Sequence, residues 1–204
     1  VRELQLHLRS RRVPLALATV TTSIALAWAL SLAFTDSATI NARTASLAIM
    51  LAVVAVGTTL SGADGALDHT MAVNWPVRRV GHLLLAAATI TALLSLSMIT
   101  DTRYEPFALV LRNTAGLLGL TALGATVLGA ALSWIAPLTW TLIAVLPMMG
   151  SSRDLRMQVA GWLVQPAGTA AATTCAAILA ATGLLAYALR GCPVRPVSET
   201  APDR

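Results

Sequence analysis

The sequence predicts an all-α membrane protein: six transmembrane helices preceded by a short amphipathic helix lying in the membrane interface. Three observations predict it. First, six apolar stretches, over residues 13–34, 45–61, 80–100, 106–132, 134–150 and 167–190, take up most of the 204 residues. Each is long enough, at roughly 17–25 residues per span, to cross a bilayer as a helix. Second, only 11% of residues are charged and 56% are hydrophobic, with a mean hydropathy of +0.74; a soluble domain carries about 25% charged residues. Third, no Asp or Glu lies inside any of the six stretches. Ion-coupled pumps and proton relays keep carboxylates at membrane depth despite their cost, so any energy for transport is expected from another chain.

Residues 1–12 place Val1, Leu4 and Leu8 on one side at helical spacing, with Glu3, Gln5, Arg9 and Arg12 mostly elsewhere. Such a segment lies in the interface with its arginines toward headgroups; a basic leader without fixed structure is the alternative. Pro14 opens the first span, which reads as a retained anchor because Ala33, Phe34 and Thr35 make a poor cleavage site. Residues 35–44 form a short polar loop. The second span ends in Gly57, Thr58 and Thr59, small residues that permit close helix approach.

Residues 62–81 make the longest loop before the third span. Asp64 is placed to cap a short helix from Gly65, with Leu67 and Met71 on its apolar side and Asp68 exposed. Asn74-Trp75-Pro76 ends that helix, since the residue before proline is driven out of helical geometry. Arg78 and Arg79 then anchor the third span at the headgroups. Two readings fit the loop: a partner-docking helix, or an ordinary interfacial connection.

Residues 101–106 are a compact turn into the fourth span, which carries Arg112 and Asn113 near its start and Gly116, Gly119, Gly124 and Gly129 along its length. The glycines suggest a packing face. Arg112 is expected to snorkel to the headgroups, with a place in a substrate path as the alternative. The fifth span contains Pro137 and Pro147, which remove backbone donors and bend a helix; it either crosses or re-enters. In residues 151–165, Leu155, Val159 and Leu163 form one face of a surface helix, and Trp162 is expected as an interfacial anchor. The sixth span finishes on Tyr187 and Arg190, followed by a polar, proline-bearing tail over 191–204 that is expected to be disordered.

The net charge of +5 and the pI near 10.6 do not indicate nucleic-acid binding. The basic residues sit at span ends, without a patch or interleaved aromatics. All are arginine, which together with the alanine content points to a high-GC bacterial genome. With the N-terminus in the cytoplasm, nine arginines (Arg2, Arg9, Arg11, Arg12, Arg78, Arg79, Arg190, Arg195, Arg204) fall inside and five (Arg43, Arg103, Arg112, Arg153, Arg156) outside. This positive-inside bias places the chain in a bacterial inner membrane with both termini cytoplasmic. Cys175 reads as a small apolar core residue and Cys192 as a free thiol. His7, His69 and His82 have no ligand spacing, so no metal site is expected. The Asp64-Gly65 and Asp68 pattern lacks the further spaced aspartates of a CDP-alcohol phosphotransferase, and no phosphate loop with lysine exists. The chain is not expected to be an enzyme or to hold a cofactor.

Five segments, taken in order, resemble a small membrane permease subunit of an ABC transporter of the type-2 exporter class, of the six-span kind found in actinobacteria. They are the basic stretch from Leu8 to Arg12; Asp64-Gly-Ala-Leu-Asp68 through Trp75-Pro-Val-Arg-Arg-Val-Gly-His-Leu-Leu84; Leu111-Arg-Asn-Thr-Ala-Gly-Leu-Leu-Gly-Leu120; Trp162-Leu-Val-Gln-Pro166; and Tyr187-Ala-Leu-Arg-Gly191. The resemblance implies an elbow helix over residues 1–13 with Arg9, Arg11, Arg12, Arg78 and Arg79 anchoring the chain. It implies a six-span domain over 14–190 and a coupling element in the 62–79 loop. Asp64, Leu67, Asp68, His69, Met71 and Trp75 would meet a cytosolic ATPase that carries the ATP and Mg. Outer re-entrant helices over 151–166 would supply a gate containing Arg156, Trp162 and Gln165. A second permease chain would complete the path through the bilayer. The second cytoplasmic loop, near 133–137, departs from the family by being almost absent. A membrane scaffold or immunity-type binding protein is the alternative function.

Overall fold

The computed structural model describes residues 13–34, 41–60, 75–96, 106–145 and 154–193. Every regular element among them is helical: α1 (Val13–Phe34), α2 (Ala42–Gly57), α3 (Trp75–Ser95), α4 (Phe107–Leu128), α5 (Ile135–Val145), α6 (Leu155–Ala160) and α7 (Ala170–Arg190), with single 3-10 turns at Ala130–Leu132 and Trp162–Val164. By length and composition α3, α4 and α7 are able to cross a membrane. Large apolar side chains such as Leu17, Leu85, Val127, Leu142, Ile178 and Leu189 face outward. A soluble protein rarely leaves so much apolar surface open to water. The chain is a membrane-embedded helical protein.

Side-chain contacts fix the direction of each helix. Ser46 near the start of α2, Arg112 near the start of α4 and residues 162–166 ahead of α7 meet at one end of the bundle. Thr59 beyond α2, His82 early in α3 and Tyr187 late in α7 meet at the other, through Thr59–His82 and Tyr187–Leu60 contacts. Thus α2, α4 and α7 run parallel and α3 runs against them. The two ends are called below the Arg112 end and the Tyr187 end.

α4 is the central helix, buried over most of its surface between Leu109 and Ala125. Its glycines explain how neighbours come so close. A Cβ on Gly119 would strike the backbone of Leu179 and Ala180, and one on Gly183 would strike the backbone of Gly119. The α4–α7 seam is therefore backbone against backbone, the packing that small residues allow where apolar burial gives no drive between helices.

Several sequence-level boundaries shift. The third long helix opens at Trp75, not residue 80: Pro76 sits in its first turn, where no intrahelical donor is lost. α2 begins at Ala42 because Asn41 caps it, its side chain accepting from Arg43 N at 3.1 Å. α4 stops at Leu128, where Gly129 takes φ +86 and the 3-10 turn follows. Pro137 lies in the first turn of α5, where a missing N–H removes no helical bond, so the expected bend has no cause there. Gly161 splits the surface helix read over 151–165 into α6 and the 3-10 turn. Residues 191–193 are described as well, with Gly191 N donating to Tyr187 O at 2.9 Å. The elbow helix over 1–12 and the tail over 194–204 lie outside the described residues.

Candidate functional site

The densest polar arrangement among the described residues is built around Arg112 and Asn113. Both lie one to two turns into α4 and both are buried. Ahead of α7 the chain turns back into the bundle: Asp154 caps α6 by accepting from Arg156 N at 3.1 Å, Gly161 N closes it onto Met157 O, and the 3-10 turn carries Trp162 and Leu163 inward to full burial. This return is irregular backbone, which at membrane depth must find partners on neighbouring elements.

Arg112 supplies them. Its Nη2 donates to the carbonyls of Trp162 at 2.7 Å and Gln165 at 2.8 Å, and its Nη1 donates to Pro166 O at 3.1 Å. Its Nε donates to Asn113 Oδ1 at 3.2 Å, which orients that amide. Asn113 Nδ2 then donates to Leu163 O at 2.8 Å and to Ser46 Oγ at 3.3 Å, while the Ser46 hydroxyl donates onward to Leu163 O at 3.3 Å. The planar guanidinium fork reaches three carbonyls at once, which an ammonium on a flexible stem does not match. Its charge also complements the carbonyl end of the short helical return. Beneath the return, the Trp162 ring lies on Gly116, where an added Cβ would strike the indole six-membered ring. The indole N–H is buried with no hydrogen-bond partner among the described residues.

The opposite end carries a second, lighter arrangement. The Tyr187 hydroxyl donates to Leu60 O at 2.6 Å, and Cys192 Sγ approaches the same carbonyl at 3.6 Å. Arg79 Nη1 donates to Ala188 O at 3.3 Å, with its guanidinium packed where a Cβ on Gly191 would stand; Gly191 has φ +67, a conformation that favours glycine. Leu60 and Trp75 bracket residues 61–74. Both flanks of that segment are therefore tied to the last turn of α7.

The expected site residues divide accordingly. Trp162 and Gln165 come together with Arg112. Arg156 stands apart on the exposed side of α6. Trp162 is not an interfacial anchor and Arg112 does not snorkel: both are buried inside the bundle, the indole against Gly116 and the guanidinium on the carbonyls of Trp162, Gln165 and Pro166. Trp75 and Arg78 start α3 with the guanidinium 6.0 Å from the indole centroid, a cation–π contact. Arg79 turns inward to α7. Asp64, Leu67, Asp68, His69 and Met71, and the anchors Arg9, Arg11 and Arg12, lie outside the described residues. Tyr187 joins the second arrangement, and Ser46 and Asn113 the first, without being expected as site residues. Their signal is an Arg-Asn pair inside an apolar helix, four residues ahead of a glycine, facing an apolar loop with unspent carbonyls. No group of His, Cys, Asp and Glu among the described residues is arranged to hold a metal ion. Compared with protein-family models, curated proteins and solved structures, the chain matches none.

Proposed function

We propose that the chain is the membrane-spanning permease subunit of an ATP-driven ABC exporter, six spans with both termini in the cytoplasm of a bacterial inner membrane. It pairs with a second permease chain and with cytosolic ATPase subunits. One observation carries the reading: both flanks of residues 61–74 are fastened to α7 through Tyr187–Leu60 and Arg79–Ala188. A partner that pushes this segment moves α7 as a body, and α7 leads from the caged return at the Arg112 end. Rigid elements with few hinges are what switching of this kind uses. The short α6 and the inward 3-10 turn ahead of α7 also support it, since the family resemblance implies re-entrant helices in that place.

The ATPase contact falls to Asp64, Leu67, Asp68, His69, Met71 and Trp75. The tagged chain, isolated in detergent from its host membranes, is expected to retain an ATPase whose amount drops in Leu67→Arg and Asp68→Arg while the helical content stays unchanged. A chain that carries no ATPase, or carries it equally in both variants, overturns the proposal in favour of a scaffold or immunity-type protein.

A further inference from the structure

A cavity of about 90 Å³ opens between α1, α2 and α3 at the Tyr187 end. Its walls are apolar, from Ala16, Leu17 and Val20 on α1 to Leu85, Ala86 and Ile90 on α3, apart from Thr59, Thr89 and His82. The Thr59 hydroxyl donates to Val56 O at 2.7 Å, so its proton is committed and the 2.8 Å contact to His82 is a donation from Nε2–H. That bond holds the imidazole against the wall. Leu17 and Leu85 at the rim are exposed, so the slot opens sideways onto the surface that faces lipid.

α3 continues the slot toward the headgroups. Arg78, His82, Leu85 and Thr89 fall at i, i+4, i+7 and i+11, one face of a helix. The slot face from His82 to Ile90 is roughly 12 Å long at 1.5 Å per residue. Arg78 is exposed one turn beyond its mouth, and helical side chains lean toward the helix N-terminus. The guanidinium is thus carried outward, to headgroup level, beside Trp75. A cation at headgroup level above an apolar slot that is open to the bilayer is complementary to one molecule with an anionic head and an apolar chain. We infer that this face binds an anionic phospholipid, its phosphate on Arg78 and one acyl chain in the slot between α1 and α3. The inference needs the chain to be membrane-embedded and does not rest on the exporter reading.

The test uses the full chain purified in mixed phosphatidylglycerol–phosphatidylcholine micelles, with bound lipid counted by native mass spectrometry. Phosphatidylglycerol is expected to be retained above its share of the mixture. Arg78→Gln is expected to lower that retention about fivefold, the effect of one basic residue at a membrane surface. Leu85→Trp, at the exposed rim and so tolerated by the fold, is expected to block the chain and remove retention of both lipids at this site. Arg190→Gln, an exposed arginine on α7, should leave it unchanged. Retention that follows the bulk mixture, or that survives Arg78→Gln or Leu85→Trp undiminished, overturns the inference.

Discussion

The two ends of this bundle are fastened by the same chemistry, arginine and neutral side chains on backbone carbonyls, yet to different degrees. At the Arg112 end, Arg112, Asn113 and Ser46 reach the carbonyls of Trp162, Leu163, Gln165 and Pro166, through bonds that are buried except for the part-buried one to Pro166. At the Tyr187 end, Arg79 makes one long bond from a half-buried position and Tyr187 makes one short one. Redundant bonds in a low-dielectric interior resist the loss of any one and open only together. The Tyr187–Leu60 bond is buried as well, but it and the part-buried Arg79–Ala188 bond each stand alone, so either can be lost without the other. The difference marks the Arg112 end as the one that opens locally at the higher cost and the Tyr187 end as the one that opens locally at the lower cost.

The largest effect is expected from Arg112→Leu. At least three carbonyls lose their donor, each at a cost of about 1–3 kcal/mol where water is absent. Measured side-chain bonds in membrane bundles average nearer 0.6 kcal/mol, because the unfolded chain also finds partners. Between these limits the expected loss is about 3 kcal/mol, read as a lower midpoint of thermal unfolding in detergent. Arg112→Lys sharpens the point. If the charge alone mattered it would restore stability; the geometry requires the fork, so it should recover less than half. Full recovery would mean that the cage is electrostatic and not directional.

Gly116→Ala comes next. The added methyl meets the Trp162 ring, and overpacking of this kind costs about 1–3 kcal/mol. The better helix propensity of alanine returns up to about 1 kcal/mol. A net loss of about 1 kcal/mol is expected, and it should shrink in the double variant Gly116→Ala with Trp162→Leu, since residues in contact are not additive. Equal losses in both backgrounds would place the strain elsewhere.

The ease of reading these regions from sequence also differs. The existence and type of the long helices followed from apolar runs, because a lipid-facing helix must be apolar along its length. Their starts did not: Trp75-Pro76 looks like a stop when proline is taken as a breaker and like a start when it falls in a first turn, and only the following helix decides between them. In the fifth stretch, read over 134–150, the described helix is Ile135–Val145, and 146–150 lie outside the described residues. Residue type alone puts Trp162 and Arg112 at the interface, where tryptophan and arginine usually sit. What moved them inside is their pairing across about fifty residues of chain, through a glycine that makes room and a loop whose carbonyls need donors. Neither partner alone carries that information.

The smallest effect separates the two ends most cleanly. Tyr187→Phe removes one hydroxyl and leaves the ring, so Leu60 O loses a donor at a cost of about 0.5–1.5 kcal/mol. If the Tyr187 end is the one that opens locally at the lower cost, the loss should stay local: amide hydrogen exchange should quicken around Leu60 and the last turn of α7 while the protection of α4 near Arg112 stays as it was. Sub-global opening of this kind is what separates a mobile element from a core. Were exchange to quicken equally at both ends, α7 would be transmitting the loss along its whole length and the bundle would open as one unit. Were neither end to respond, the Tyr187–Leu60 bond would contribute nothing to holding the flank of residues 61–74, and a push on that segment would have no grip on α7.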